Sequence, residues 1–140
     1  MPDESTRFDP VELTRRAFAA ADAGDVDSVM SFVSPDSVWD ASRWGFGTYE
    51  GRRRIRGFLE DWMGSFAEFR RASEEMVDLG NGVVYAVAVT MARSVGSRDQ
   101  IRLRGATVCR WAESVAMQVT YYRDPDEGRA DAEQLADSAG

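Results

Sequence analysis

Two hydrophobic periods divide the chain, one near 3.6 residues in the first half and one of 2 in the second, and the switch between them predicts the fold class. Leu13, Ala17, Ala20 and Ala21 recur on one helical face. Asp9, Pro10 and Glu12 stand ahead of them at N-cap, N1 and N3, a helix-start signature, and Gly24 is placed to end the helix. Asp25 is placed to cap a short second helix that turns Val26, Val29, Met30 and Val33 inward. Ser34-Pro35-Asp36 reads as a turn, 37–40 as a short strand, and the glycine- and aromatic-rich stretch through Tyr49 as a loop. A long helix over 52–66 carries Ile55, Phe58, Leu59, Trp62, Met63 and Phe66 at amphipathic spacing.

From Phe69 onward apolar residues alternate. Strands are expected over 69–79, 83–93, 100–111 and 115–123, with Asn81-Gly82 as a hairpin turn between the first two. Asp124, Pro125 and Glu127 repeat the first capping spacing and open a last, short helix that runs to 136. Helices packed on one side of a mostly antiparallel sheet make an α+β domain. The sheet is expected to curl around the long helix as a cone whose open end is a ligand pocket. Without repeats, low-complexity tracts or a linker, 1–140 reads as one domain with its core over 9–136.

Composition narrows the chemistry. All 17 basic residues are arginine and histidine is absent, which removes the usual neutral-pH base, the commonest metal ligand and any lysine Schiff base. No metal or cofactor is implied, so catalysis would fall to carboxylates, arginines, tyrosines, hydroxyls or backbone. The net charge of −7 argues against nucleic acid and anionic membranes as partners. The lone Cys109 has no partner for an internal disulfide, the segment Met1 to Arg7 is unlike a secretory leader, and no run is long enough for a membrane helix. These features imply a soluble, cytoplasmic chain.

Val38-Trp39-Asp40, Tyr49-Glu50-Gly51-Arg52, Ile55-Arg56-Gly57-Phe58-Leu59, Trp62 and the closing Tyr121-Tyr122-Arg123-Asp124 with Glu127 resemble the SnoaL-like branch of the nuclear transport factor 2-like superfamily. The resemblance spans 11–135 and implies the cone fold. The superfamily includes ketosteroid isomerases, polyketide cyclases, epoxide hydrolases and dehydratases, and fold likeness alone does not choose among them.

Asp40 matches the position at which the isomerases carry their base. Beside Trp39 and Trp44 a carboxylate would be partly desolvated, which raises its pKa and suits it to proton abstraction. It equally suits a structural acceptor that fixes the loop before the long helix. Asp124 matches the acidic ending of the family and also stands at an ideal N-cap; Tyr122, two residues earlier, would share its side of a strand. Arg102, Arg104 and Arg110 share one strand face, expected to be an outer surface, with Arg104 the candidate for a pocket contact. Arg52, Arg53, Arg54 and Arg56 read as a solvated face, with Arg56 and Glu60 paired. Gly45-Phe46-Gly47 with Gly51 lacks the spacing and the βαβ context of a dinucleotide loop. Trp39, Trp44, Tyr49, Trp62 and Phe66 are the candidate walls for an apolar or polycyclic ligand.

Three readings follow. The first is an isomerase- or cyclase-type enzyme, with Asp40 as base and Tyr122 or Asp124 as proton partner. The second is a module that holds a small apolar ligand without chemistry. The third is a homodimer formed through the strand face of Val83, Tyr85, Val87 and Val89, compatible with either.

Overall fold

The structure is a computed structural model that describes residues 9–139, so the reading of Met1–Arg7 lies outside the described residues. The order is α1 (Pro10–Asp22), α2 (Val26–Met30), β1 (Val38–Asp40), a 3-10 turn (Ser42–Trp44), β2 (Thr48–Glu50), α3 (Gly51–Gly64), β3 (Phe66–Gly80), β4 (Val83–Ser94), β5 (Gln100–Ala112), β6 (Val115–Tyr122) and α4 (Pro125–Ala139). The strands form one six-stranded sheet in the order β2-β1-β6-β5-β4-β3. All neighbours are antiparallel except β1 and β6, which run parallel with Trp39 opposite Val119. This is the expected α+β cone.

Local chemistry explains the helix starts. Asp9 accepts from the amides of Val11 and Glu12, and Asp25 accepts from the amide of Ser28. Asp124 does the same for α4, accepting from the amide of Asp126 at 3.0 Å. Arg52 departs from the solvated-face reading: its guanidinium donates to the carbonyls of Met30 and Val33, closing the orphaned end of α2. Arg56 pairs with Asp27 at 2.7 Å as well as with Glu60 at 3.7 Å.

The strand β3 carries three register shifts, at Phe66/Glu68, Ser73/Glu75 and Asp78/Gly80. Each places an extra residue on one strand and bends the sheet, which is how 15 residues of edge strand curl over α3. Phe66 therefore belongs to β3 and not to the end of α3. The Tyr49 loop contains the 3-10 turn and β2, too short for periodicity to reveal.

Two apolar layers result. On the concave face α1, α2 and α3 cover Val84, Cys109, Trp111, Ala116 and Val119. On the convex face α4 covers Val83, Tyr85, Val87, Ala106, Val108 and Tyr122 through Ala132 and Ala136. The expectation of helices on one side alone is thus corrected, and α4, at 15 residues, is not short. Gly128 makes its close approach possible, since a Cβ there would lie 3.1 Å from Ala106 Cβ. Asn81 adds a clamp, donating to the Ala136 carbonyl at 2.7 Å from its turn position. The face assigned to a dimer is therefore occupied by the chain's own helix at Val83, Tyr85 and Val87.

Gly82 combines φ of +80° with a backbone neighbour: a Cβ would stand 2.3 Å from the Trp111 carbonyl oxygen. Gly96 has φ of +82° and open space around it. Chemical denaturation is expected to show Gly96→Ala costing about 1 kcal/mol, the left-handed penalty alone, and Gly82→Ala costing well beyond that.

Candidate functional site

Between α3 and the concave face lies a cavity of about 120 Å³. Its floor is strand-built from Ala86, Ala88, Thr90, Leu103, Gly105 and Thr107; Phe58, Leu59, Trp62 and Met63 of α3 form one wall, and Trp44 and Phe46 reach in from the loop. The alternation of small and large residues makes the space. Alanines on β4 leave room where larger side chains would fill the core. Gly105 lets the Trp44 ring lie against the strand, since a Cβ there would meet the ring at 2.9 Å. Phe46 and Phe58 pack edge-on to each other at 6.0 Å, and Phe46 and Trp62 at 5.4 Å. Phe46 is 47% exposed and stands at the rim.

Polar groups are few. Thr90 and Thr107 are hydroxyls on the floor. The Tyr121 hydroxyl accepts from the Trp39 indole at 2.6 Å, and burial pushes its pKa up to about 12, so it is a neutral donor at any ordinary pH. Arg71 is the one charged lining residue among the described residues. Its guanidinium sits over the ring of Phe18 at 4.4 Å and of Phe69 at 5.6 Å. Its Nε lies 3.5 Å from Oδ1 of Asp22, the last residue of α1, with side chains only 16% and 31% exposed. No hydrogen bond forms across that gap, and Asp22 Oδ1 is buried without a partner. Burial raises the Asp22 pKa, with the Arg71 charge pulling the other way; the C-terminal end of α1 also disfavours the anion.

The residues singled out from the sequence are distributed otherwise. Because Trp39 points into the core, its neighbour Asp40 points to the convex side. There Asp40 accepts from the amide and hydroxyl of Ser42 at 3.0 and 2.6 Å and from the Thr48 hydroxyl at 3.2 Å. Partial burial pushes its pKa up, but these hydrogen bonds and the Arg43 charge outweigh it, and the net shift is downward. Asp40 is thus a fixed acceptor that shapes the turn, and not a desolvated base in the pocket.

The same parity moves Tyr122. It touches the cavity wall, but its ring packs with Ala132 and Ala136 of α4, under Arg43 at 4.5 Å. Burial and then the Asp131 carboxylate raise its pKa. Its neighbour Tyr121 takes the inward position. Asp124 is exposed at the start of α4 and reaches no cavity atom. Arg104 is half exposed on the convex side, where it binds Glu74 at 2.9 Å. Among the aromatic candidates, Trp44 and Trp62 line the cavity; Trp39 is core, Tyr49 stacks behind Phe58 at 4.7 Å, and Phe66 backs Trp62 at 4.9 Å. Arg43 organises the outside: it reaches Asp40 at 3.6 Å, Glu127 at 3.0 Å and Asp131 at 3.7 Å, tying the 3-10 turn to α4.

Sequence reasoning missed Arg71, Asp22 and Tyr121. Arg71 does follow an inward residue, Phe69, at strand spacing, which is a signal once the face of β3 is known. Asp22 meets it only across 49 residues of chain, and nothing local announces that meeting. Among the described residues no cluster of acidic and cysteine side chains is arranged to hold a metal ion, and no helix is long and apolar enough to cross a membrane.

An aromatic-walled cavity inside a curled sheet, with a few convergent polar groups, defines a small-ligand pocket of the cone fold. The chain belongs to the SnoaL-like domain family, whose model matches residues 14–130. Its structure is similar to that of an NTF2-like protein of unknown function from Burkholderia pseudomallei, with 21% identity, a TM-score of 0.71 and coverage of 84% of this chain and 92% of that one. It is also similar to a protein with a ketosteroid isomerase-like fold from Catenulispora acidiphila in complex with trimethylamine, with 15% identity, a TM-score of 0.71 and coverage of 79% and 84%. An LEH-like epoxide hydrolase from M. tuberculosis shares 15% identity at a TM-score of 0.69, over 93% of this chain and 92% of that one. At these identities the likeness establishes the fold. No curated protein sequence matches the chain.

Carboxyl-carbon NMR titration is expected to place Asp22 above the ordinary carboxylate range and Asp40 below it. Because the folded-state pKa of Asp40 is depressed, its stabilising effect is present above the unfolded value and fades as pH falls through the folded one. Asp40→Asn should therefore destabilise by about 1 kcal/mol at pH 7, the scale of a lost turn acceptor. That difference should shrink as the pH falls below the ordinary carboxylate range and through the depressed folded-state pKa of Asp40.

Proposed function

We propose that this chain binds a small, single-ring molecule with at least one oxygen acceptor in the cavity between α3 and the concave face. The carrying observation is the cavity itself, about 120 Å³ walled by aromatic and alanine side chains. A dry apolar void of about 150 Å³ takes benzene, whereas drug-sized ligands occupy roughly 300–1,000 Å³. A polycyclic ligand, as expected from the tryptophan content, would have to displace Trp44 and Phe46. The similar Catenulispora protein holds a small organic molecule, which supports a ligand of this scale. The Tyr121 hydroxyl has no acceptor of its own among the described residues and is free to donate to a ligand oxygen.

Tryptophan fluorescence checks this directly, because Trp44 and Trp62 are wall residues. Titration with toluene, phenol and cyclohexenone is expected to change the emission saturably, and Ala88→Phe, which fills the floor, to weaken binding at least tenfold. Absence of saturable binding by all three, or binding indifferent to Ala88→Phe, would count against the pocket.

A second reading, proton-transfer catalysis of the isomerase or cyclase type, is favoured by one observation, the buried and unpaired Oδ1 of Asp22. Asp22 does not itself line the cavity but adjoins the lining residues Ala21 and Arg71. A carboxyl with a raised pKa is a better base at neutral pH. In this reading Asp22 takes the place expected of Asp40, with Tyr121 stabilising the developing oxyanion. Exchange of the acidic C–H protons of cyclohexenone in deuterated buffer is the assay. The protein should accelerate exchange, and Asp22→Asn should lower the acceleration by roughly 10²–10⁴-fold, the usual contribution of a general base, while cyclohexenone still binds. Binding without any acceleration leaves the chain a ligand carrier.

A further inference from the structure

We infer that Arg71 is an anion anchor, and that the preferred ligand is a small aromatic anion whose carboxylate, phenolate or enolate oxygen meets the guanidinium. This rests on the pocket reading and names its ligand class. An arginine carries five N–H donors in a planar fork suited to two oxygens at once. The Arg71 side chain is only 16% exposed, and no protein acceptor among the described residues hydrogen-bonds its guanidinium. Its single ionic neighbour among the described residues, Asp22, stands at 3.5 Å without a hydrogen bond between them. A cation taken out of water with its donors unfilled is costly. The rings of Phe18 and Phe69 return part of that cost but offer no acceptor.

The position is as informative as the satisfaction. Arg71 sits on β3 opposite Thr90, a floor residue of the cavity, and its charge acts on the buried Tyr121 and Cys109 as well as on Asp22. A ring resting between α3 and the alanine floor would hold its anionic oxygens towards β3. The Tyr121 hydroxyl is a second donor in the same cavity. Asp22 serves as the partial counter-ion, and the 3.5 Å gap, with no hydrogen bond across it, leaves the guanidinium donors available. The net charge of −7 does not oppose this, because charges more than about 8–10 Å away are screened in physiological salt while a contacting guanidinium is not.

Benzoate and benzamide are the probes, equal in shape and different in charge. The wild-type protein is expected to bind benzoate at least tenfold more tightly than benzamide at pH 7. Arg71→Gln should bring benzoate down to the benzamide level and leave benzamide within about twofold. Asp22→Asn removes the competing carboxylate and should tighten benzoate severalfold without changing benzamide; it keeps the test decisive if Arg71→Gln does not fold. Benzamide bound as well as benzoate by the wild-type protein overturns the anchor and leaves the pocket standing. Failure of both probes to bind overturns the anchor and the pocket together.

Discussion

The hydrogen bond from the Trp39 indole to the Tyr121 hydroxyl sets the parity of the whole site. It joins two buried polar groups that would otherwise each lose about 1–3 kcal/mol as unsatisfied partners. It also locks two adjacent strands with Trp39 and Tyr121 inward. Since side chains alternate along a strand, that choice sends Asp40 and Tyr122 outward with no further instruction. A slip of one residue in β1 would place Asp40 in the core and Trp39 in water. The parallel pairing of β1 with β6 therefore decides which acidic and phenolic groups the cavity sees.

Outward residues are then used to hold the outside together. Arg43 gathers Asp40, Glu127, Asp131 and the Tyr122 ring, and Asn81 holds the far end of α4. Each surface ion pair is worth little alone, but a shared guanidinium and two small-residue contacts keep α4 seated over the convex face. That seating accounts for the apolar stripe of β4, which in sequence has the look of an exposed association surface.

Local chemistry was legible and long-range parity was not. The aspartates at 9, 25 and 124, the Asn81-Gly82 turn and the alternation from Phe69 onward each act within a few residues of themselves, so the sequence shows them. Phe66 fits both the helical spacing of α3 and the strand that follows it, and only the bulged register of β3 decides. Asp40 had every local mark of a candidate base: a strand end and tryptophans on either side. Its orientation depended on Trp39 finding Tyr121, 82 residues away. The resemblance to SnoaL-like proteins located the right segment of chain and the right fold, but a family's site transfers only where the side chain faces the same way.

The chemistry of the cavity is instead set where α1 stops. Ending the helix at Asp22 puts a carboxyl on the disfavoured C-terminal end of a helix, against a guanidinium that two phenyl rings already hold. A purely structural solution would replace this pair by apolar residues of similar volume at little or no loss, since buried ion pairs seldom out-stabilise well-packed hydrocarbon. A half-buried pair with no hydrogen bond across it stabilises the fold even less. Its geometry makes better sense as polarity kept ready at the edge of an apolar space. Folding tolerates the imperfection because the cone is stabilised elsewhere, by the two apolar layers and the anchored α4. The strained electrostatics can then serve whatever enters the cavity.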